Sequence, residues 1–175
     1  MPHIVVCSLA RLHDTVKAHG ARDVVTLITA NTPVERPPQV SENRHLHLNF
    51  HDITVPTAGM TPPAAGHVEA VIDFARAWDQ QTPMVIHCFA GVSRSTAAAY
   101  ISAVALKPEL DEDVLARELR RRSASATPNI RLIGFADDLL GRSGRMVRAI
   151  ERIGRGEDAY EGDPFILPLT AEQVD

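Results

Sequence analysis

With 175 residues, 45% hydrophobic content and a net charge of -4, the chain is long enough to bury one sizeable core as a single domain without metal or disulfide support. The acidic balance and 5% aromatic content argue against nucleic-acid binding, which calls for a net basic domain with interleaved aromatics. No apolar run is long enough to span a membrane, and the N-terminus lacks the basic-then-apolar pattern of a secretory leader, so a cytoplasmic protein without membrane contact is expected, its oligomeric state left open.

In chain order, the β-branched run at residues 3–7 reads as a strand and residues 10–19 as a helix. A second strand covers residues 24–28, and residues 31–41 form a loop or hairpin. Residues 44–50 alternate Leu46, Leu48 and Phe50 with polar side chains, the period of a third strand. After the Gly/Pro-rich stretch ending at Pro63, residues 65–80 carry a helical pattern. A short apolar segment after Pro83 is a buried strand, and residues 93–106 a buried helix. Pro108 stops that helix. Asp111, Glu112 and Asp113 open an acid-capped helix through Arg122, and two more helices cover residues 129–140 and 144–153. Strands alternating with helices predict an α/β fold: a single domain with a central, mostly parallel, four- or five-stranded sheet flanked by helices, and a helical C-terminal half. The whole of 1–175 is one unit, with a core of about residues 3–153 and a tail, 154–175, expected to pack as an extended strap or to be partly loose.

The joint between the buried strand and the buried helix carries the chemistry. It reads Val85-Ile86-His87-Cys88-Phe89-Ala90-Gly91-Val92-Ser93-Arg94-Ser95. Cys88 falls at the lip of a helix N-terminus, where unpaired N–H groups and the helix dipole favour a thiolate and also bind a phosphate. Gly91 permits the backbone angles that turn successive amides of Phe89, Ala90, Gly91, Val92 and Ser93 inward, and Arg94 offers a planar fork for two phosphate oxygens. Ser95 can donate a hydroxyl to the sulfur. His87, at the end of the strand, is placed to hydrogen-bond loop backbone and hold the turn open. A cysteine that is merely a small core hydrophobe would make the accompanying glycine, arginine and serine coincidental.

The string His87-Cys88-x5-Arg94-Ser95, with Ala90-Gly91 inside it, resembles the signature of the cysteine-dependent protein tyrosine phosphatase superfamily, and its Ala-Gly-x-Ser-Arg-Ser form resembles the dual-specificity branch. The resemblance implies phosphotyrosine hydrolysis on a phosphorylated protein, extending to phosphoserine and phosphothreonine in a dual-specificity enzyme. It also implies a cysteinyl-phosphate on Cys88, an acid that protonates the leaving oxygen, and no metal or other cofactor. The acid is expected on a loop after a strand, some thirty-odd residues upstream. Asp52, in His51-Asp52-Ile53-Thr54-Val55-Pro56, fits that place, whereas Asp73 and Asp79 fall in a helical pattern. Pro128-Asn129 with a following Phe135 is similar to a turn found near the site in that branch, which makes Asn129 a supporting candidate; an ordinary helix cap would explain it equally.

Two other readings compete: a phospho-binding module that retains the loop but turns over little, and a phosphatase for a non-protein phosphate. The loop interior contains no lysine, whereas superfamily members acting on inositol phosphates often carry extra basic residues there, which favours phosphoprotein. Sulfur-transfer and arsenate-reducing enzymes resemble the chain less, because their loops have a shorter Cys-to-Arg interval or stand at the N-terminus. His45 and His47 share a strand face but form no strong ligand set, and are expected as exposed strand residues. The arginines 120–122 and at 142, 145, 148, 152 and 155 are expected on solvated helix faces. If the first strand neighbours that of His87, Cys7 lies near Cys88 and a reversible disulfide between them is conceivable.

Overall fold

The computed structural model describes residues 1–170. Its strands are β1 (His3–Cys7), β2 (Asp23–Ile28), β3 (His45–Asn49), β4 (Met84–His87) and β5 (Phe165–Pro168). Its helices are α1 (Leu12–His19), α2 (Ala65–Ala77), α3 (Arg94–Leu106), α4 (Glu112–Arg122), α5 (Ile130–Leu139) and α6 (Arg145–Ile153). The strands form one sheet in the order β3-β2-β4-β1-β5. The first four run parallel, and β5 is antiparallel beside β1. Parallel strands covered on both faces read as near-continuous apolar runs, and β1, β2 and β4 are buried almost throughout.

The two faces are unequally covered. On one, α3 lies at the centre, buried from Arg94 to Val104; its alanines let it approach the sheet and the helices around it. Ile4, Val6, Leu27, Ile86, Tyr100, Leu115, Leu119 and Ile133 belong to this large core. On the other face a smaller cluster of Val5, Cys7, Leu12, Val16, Val24, Val40 and Val85 is roofed by α1.

The C-terminal half is helical through α6, and a strand is added after it. Residues 165–168 of the tail, expected as an extended strap, pair with β1 from His3↔Pro168 to Val6↔Phe165. Pro168 is tolerated because β5 is an edge strand. The last five tail residues, 171–175, lie outside the described residues. Because β1 to β4 run parallel, their carboxyl ends (Cys7, Ile28, Asn49 and His87) meet at one edge of the sheet, where open α/β folds place their ligand crevice.

Candidate active site

Residues 88–93 join β4 to α3 at that edge. Gly91 has φ +73, a left-handed conformation that disfavours any side chain, and a Cβ there would stand 2.8 Å from the Cys7 carbonyl carbon and 2.9 Å from Ser8 N. The loop therefore presses on the end of β1. Its carbonyls point away from the loop centre: those of Phe89, Ala90, Val92 and Ser93 accept from the amides of Leu9, Gly162, Thr127 and Asn129, and that of Cys88 from His87 Nδ1 at 3.0 Å. With these carbonyls tied to neighbouring segments, the Gly91 amide is turned inward onto Cys88 Sγ, the arrangement by which successive amides form an anion-binding nest.

Cys88 lies at the floor of this nest, 3% exposed. Its Sγ accepts from Gly91 N at 3.3 Å and stands 3.2 Å from Ser95 Oγ. Arg94 is buried against the same loop, Nη1 donating to Phe50 O at 2.8 Å and to Thr29 Oγ1 at 3.2 Å. Its Nε is buried with no hydrogen-bond partner. A buried charged donor of this kind suits an oxyanion as its partner.

Asp52 reaches the loop from the end of β3. Its Oδ1 accepts from Ser93 Oγ at 2.8 Å and from Asn129 Nδ2 at 2.8 Å, and Oδ2 has no hydrogen-bond partner among the described residues. Asn129, 3% exposed, also caps α5, its Oδ1 accepting from the amides of Arg131 and Leu132, and its Nδ2 donates to Ile53 O at 3.2 Å. One amide of Asn129 thus both caps α5 and reaches Asp52. The Asp52 loop is closed at its neck by His51 N to Thr61 O and Thr61 N to His51 Nδ1. Around the opening, Phe89 is 62% and Val55 68% exposed.

The remaining candidates lie elsewhere. Asp79 pairs with Arg44 at 3.0 Å, and Asp73 sits on an exposed face of α2. Cys7 and Cys88 belong to clusters on opposite faces of the sheet, and burial pushes the Cys7 thiol up to about 12. Cys7 is thus kept protonated, the neighbouring Cys88 adding to the rise, and both cysteines stand as free thiols. The arginines are spent on structure: Arg121 and Arg122 on Glu118, Arg142 and Arg145 on Glu112, Arg152 on Asp113 and Arg155 on Asp158. Arg120 donates to the carbonyls of Ala126, Ile153 and Gly154.

His45 departs from its expected exposure. It is half-buried, its Nε2 lying 2.7 Å from Thr26 Oγ1, which is also 2.7 Å from His87 Nε2. Thr26 was not legible as a site residue, although a hydroxyl between Val25 and Leu27 of a buried strand must find partners. Gly162, whose amide holds Ala90 O at 2.8 Å, carried no side-chain signal at all. Next to it, Glu161 accepts from the buried Ser8 hydroxyl at 2.5 Å.

A mostly parallel α/β sheet whose carboxyl edge holds a thiol under the Gly91 amide, with a buried arginine beside it, defines a class of proteins that handle phosphoryl groups through cysteine. The chain belongs to the protein-tyrosine phosphatase family, whose sequence profile matches residues 16–125. Phosphoester hydrolysis is the reaction class that this family supports, and phosphorylated molecules its substrate class. No curated protein sequence matches the chain. Among solved structures, the Cydia pomonella PTP-2 phosphatase is similar over 76% of this chain and 83% of its own, with 19% identity and a TM-score of 0.58. A mouse protein described as a dual specificity phosphatase, complexed with zinc tungstate, is similar over 82% and 84%, with 15% identity and a TM-score of 0.59. Human DUSP28 is similar over 78% and 99%, with 15% identity and a TM-score of 0.55. At these identities the likeness is one of fold, and the fold is that of the dual-specificity phosphatases. Among the described residues, no helix is long and apolar enough to cross a membrane.

Proposed function

We propose that the protein hydrolyses phosphotyrosine on proteins, and phosphoserine or phosphothreonine where the opening admits them, through a cysteinyl-phosphate on Cys88. The observation that carries this reading is the convergence of Cys88 Sγ, the unpartnered Arg94 Nε and the Asp52 carboxyl on one loop.

In the first step the Cys88 thiolate attacks phosphorus and an S–P bond forms as the ester P–O bond breaks. The electron pair of that bond goes to the leaving oxygen, which takes a proton from Asp52. The loop amides and Arg94 hold the equatorial oxygens, whose charge needs donors already in place. In the second step the Asp52 carboxylate takes a proton from water, which attacks phosphorus. The S–P bond breaks, inorganic phosphate leaves, and the Ser95 hydroxyl donates to the returning sulfur. A positioned acid contributes about two to four powers of ten, which Oδ2 of Asp52 is free to supply. The exposed apolar side chains of Phe89 and Val55, and the absence of lysine from residues 88–93, suit an aryl phosphate on a peptide better than a highly charged inositol phosphate.

Hydrolysis of a small aryl phosphate by reduced protein, with Cys88→Ser beside it, tests the reading. Turnover that vanishes in the serine variant supports it. A protein that binds orthovanadate at Cys88 and yet shows no turnover is a phospho-binding module instead. Phosphotyrosine, phosphoserine and inositol-phosphate substrates then separate the classes.

A further inference from the structure

The geometry points to Thr26 and His45 as positioning residues that act through His87 to hold the Cys88 carbonyl outward, an inference that rests on Cys88 being the nucleophile of the proposed reaction. Thr26 is fully buried, and its Oγ1 lies 2.7 Å from both His45 Nε2 and His87 Nε2. A hydroxyl has one proton to give, so one ring donates to it and the other accepts from it. The direction is fixed at the far end of the chain. A carbonyl only accepts, so His87 Nδ1, 3.0 Å from Cys88 O, carries the proton there. Burial holds the His87 ring neutral, its pKa pushed down to about 4, so Nε2 is a bare lone pair. It takes the Thr26 proton, and Thr26 in turn accepts from His45 Nε2–H. His45 is also kept neutral, down to about 4, by its own burial and by the neighbouring His47 and Arg36.

What this relay fixes is the peptide between Cys88 and Phe89. Of the loop carbonyls described above, that of Cys88 is held by a side chain, whereas those of Phe89, Ala90, Val92 and Ser93 each accept from a backbone amide of a neighbouring segment, Val92 and Ser93 from the Thr96 hydroxyl as well. Were the His87 proton on Nε2, the Nδ1 lone pair would face the carbonyl lone pairs at 3.0 Å. The peptide would then turn, carrying the Phe89 N–H away from the phosphate space. With His45 Nε2–H donating to Thr26, the single hydroxyl proton is left to face His87 Nε2, which therefore accepts and keeps the ring proton on Nδ1.

The tautomer is directly observable. In the full chain labelled with 15N at histidine, long-range proton–nitrogen correlation should show His87 protonated on Nδ1 and bare on Nε2 at neutral pH. A proton on Nε2, or an imidazolium, overturns the relay whatever the protein's activity. Thr26→Val keeps the shape and removes the hydroxyl, and kcat/KM for an aryl phosphate should fall about ten- to a hundredfold, the scale of a small misplacement of catalytic groups. Thr26→Ser should recover most of the loss. A folded Thr26→Val protein with unchanged kcat/KM refutes the proposal. Should that variant not fold, His45→Leu is expected to lower kcat/KM by less and His45→Gln, which keeps an N–H donor, to restore it; no drop in His45→Leu also refutes it. If the unmodified protein does not turn over, the phosphatase reading alone fails, and orthovanadate affinity replaces the kinetics. Weaker binding by Thr26→Val than by Thr26→Ser then supports the relay, and equal binding refutes it.

Discussion

Residues 88–93 and residues 51–63 face each other across the site and are held in different ways. In the first loop the carbonyls are tied to His87, Leu9, Gly162, Thr127 and Asn129, groups drawn from widely separated parts of the chain. The second loop is closed by its His51–Thr61 neck and meets the phosphate loop through one carboxylate oxygen, the Oδ1 of Asp52. In the proposed reaction the difference separates two tasks. Binding an oxyanion requires donors fixed in advance, whereas an acid that gives and then retrieves a proton requires one good position and a free second oxygen.

Substitutions in the two loops should therefore fail differently. Cys88→Ser is expected to bring turnover to the uncatalysed rate while the fold and its melting temperature persist, read by aryl phosphate hydrolysis and circular dichroism. Asp52→Asn should lower kcat by about two to four powers of ten and leave orthovanadate affinity close to that of the unmodified protein; a parallel loss of affinity would show that the acid loop also shapes the anion site. Gly91→Ala forces a side chain into φ +73 against the Cys7 backbone. It should cost about 1–3 kcal/mol of stability and weaken orthovanadate binding with it, so that here stability and affinity fall together, as denaturant titration and binding isotherms will show. Asn129→Ala removes a helix cap worth about 1 kcal/mol and one of the two donors to Asp52, so kcat should drop by less than in Asp52→Asn with affinity again spared.

The smallest effect concerns pH. His45 and His87 are held neutral to about pH 4 in the folded protein but titrate near 6.5 when unfolded. Between those values the unfolded chain binds more protons, so this contribution to stability is full above pH 6.5 and declines as pH falls toward 4. Melting temperature should decrease over that window, with a shallower slope in His45→Asn.

The legible parts of the molecule were those whose residue types declare their need. The run ending at His87-Cys88 is buried and β-branched, Gly91 announces a left-handed turn, Arg94 and Ser95 follow at fixed spacing, and Asp52 and Asn129 stand at element ends. From these the sheet, its direction and the candidate site could be read. The strand β5 was hidden because Phe165-Ile166-Leu167 is short and bounded by Pro164 and Pro168, which usually signal loop. His45 was hidden because a polar residue on an alternating strand looks solvated, and only the neighbouring strand shows that Thr26 lies beneath it. Backbone donors such as Leu9 and Gly162 leave no trace in sequence, since any non-proline residue carries the same N–H.

The bond from Gly162 to Ala90 makes the last tether of the phosphate loop a late product of synthesis. A chain emerging from its N-terminus exposes β4, Cys88 and α3 well before the residue that closes the back of the loop. Until residue 162 has arrived, Ala90 O has only water to face, and although the tethers from Leu9, His87, Thr127 and Asn129 precede it in the chain, completing the loop awaits the long-range closure that brings β5 onto β1. The reactive geometry of Cys88 is in this sense owned by the whole fold, and a fragment ending after α6 would carry every letter of the signature while missing the tether that shapes it.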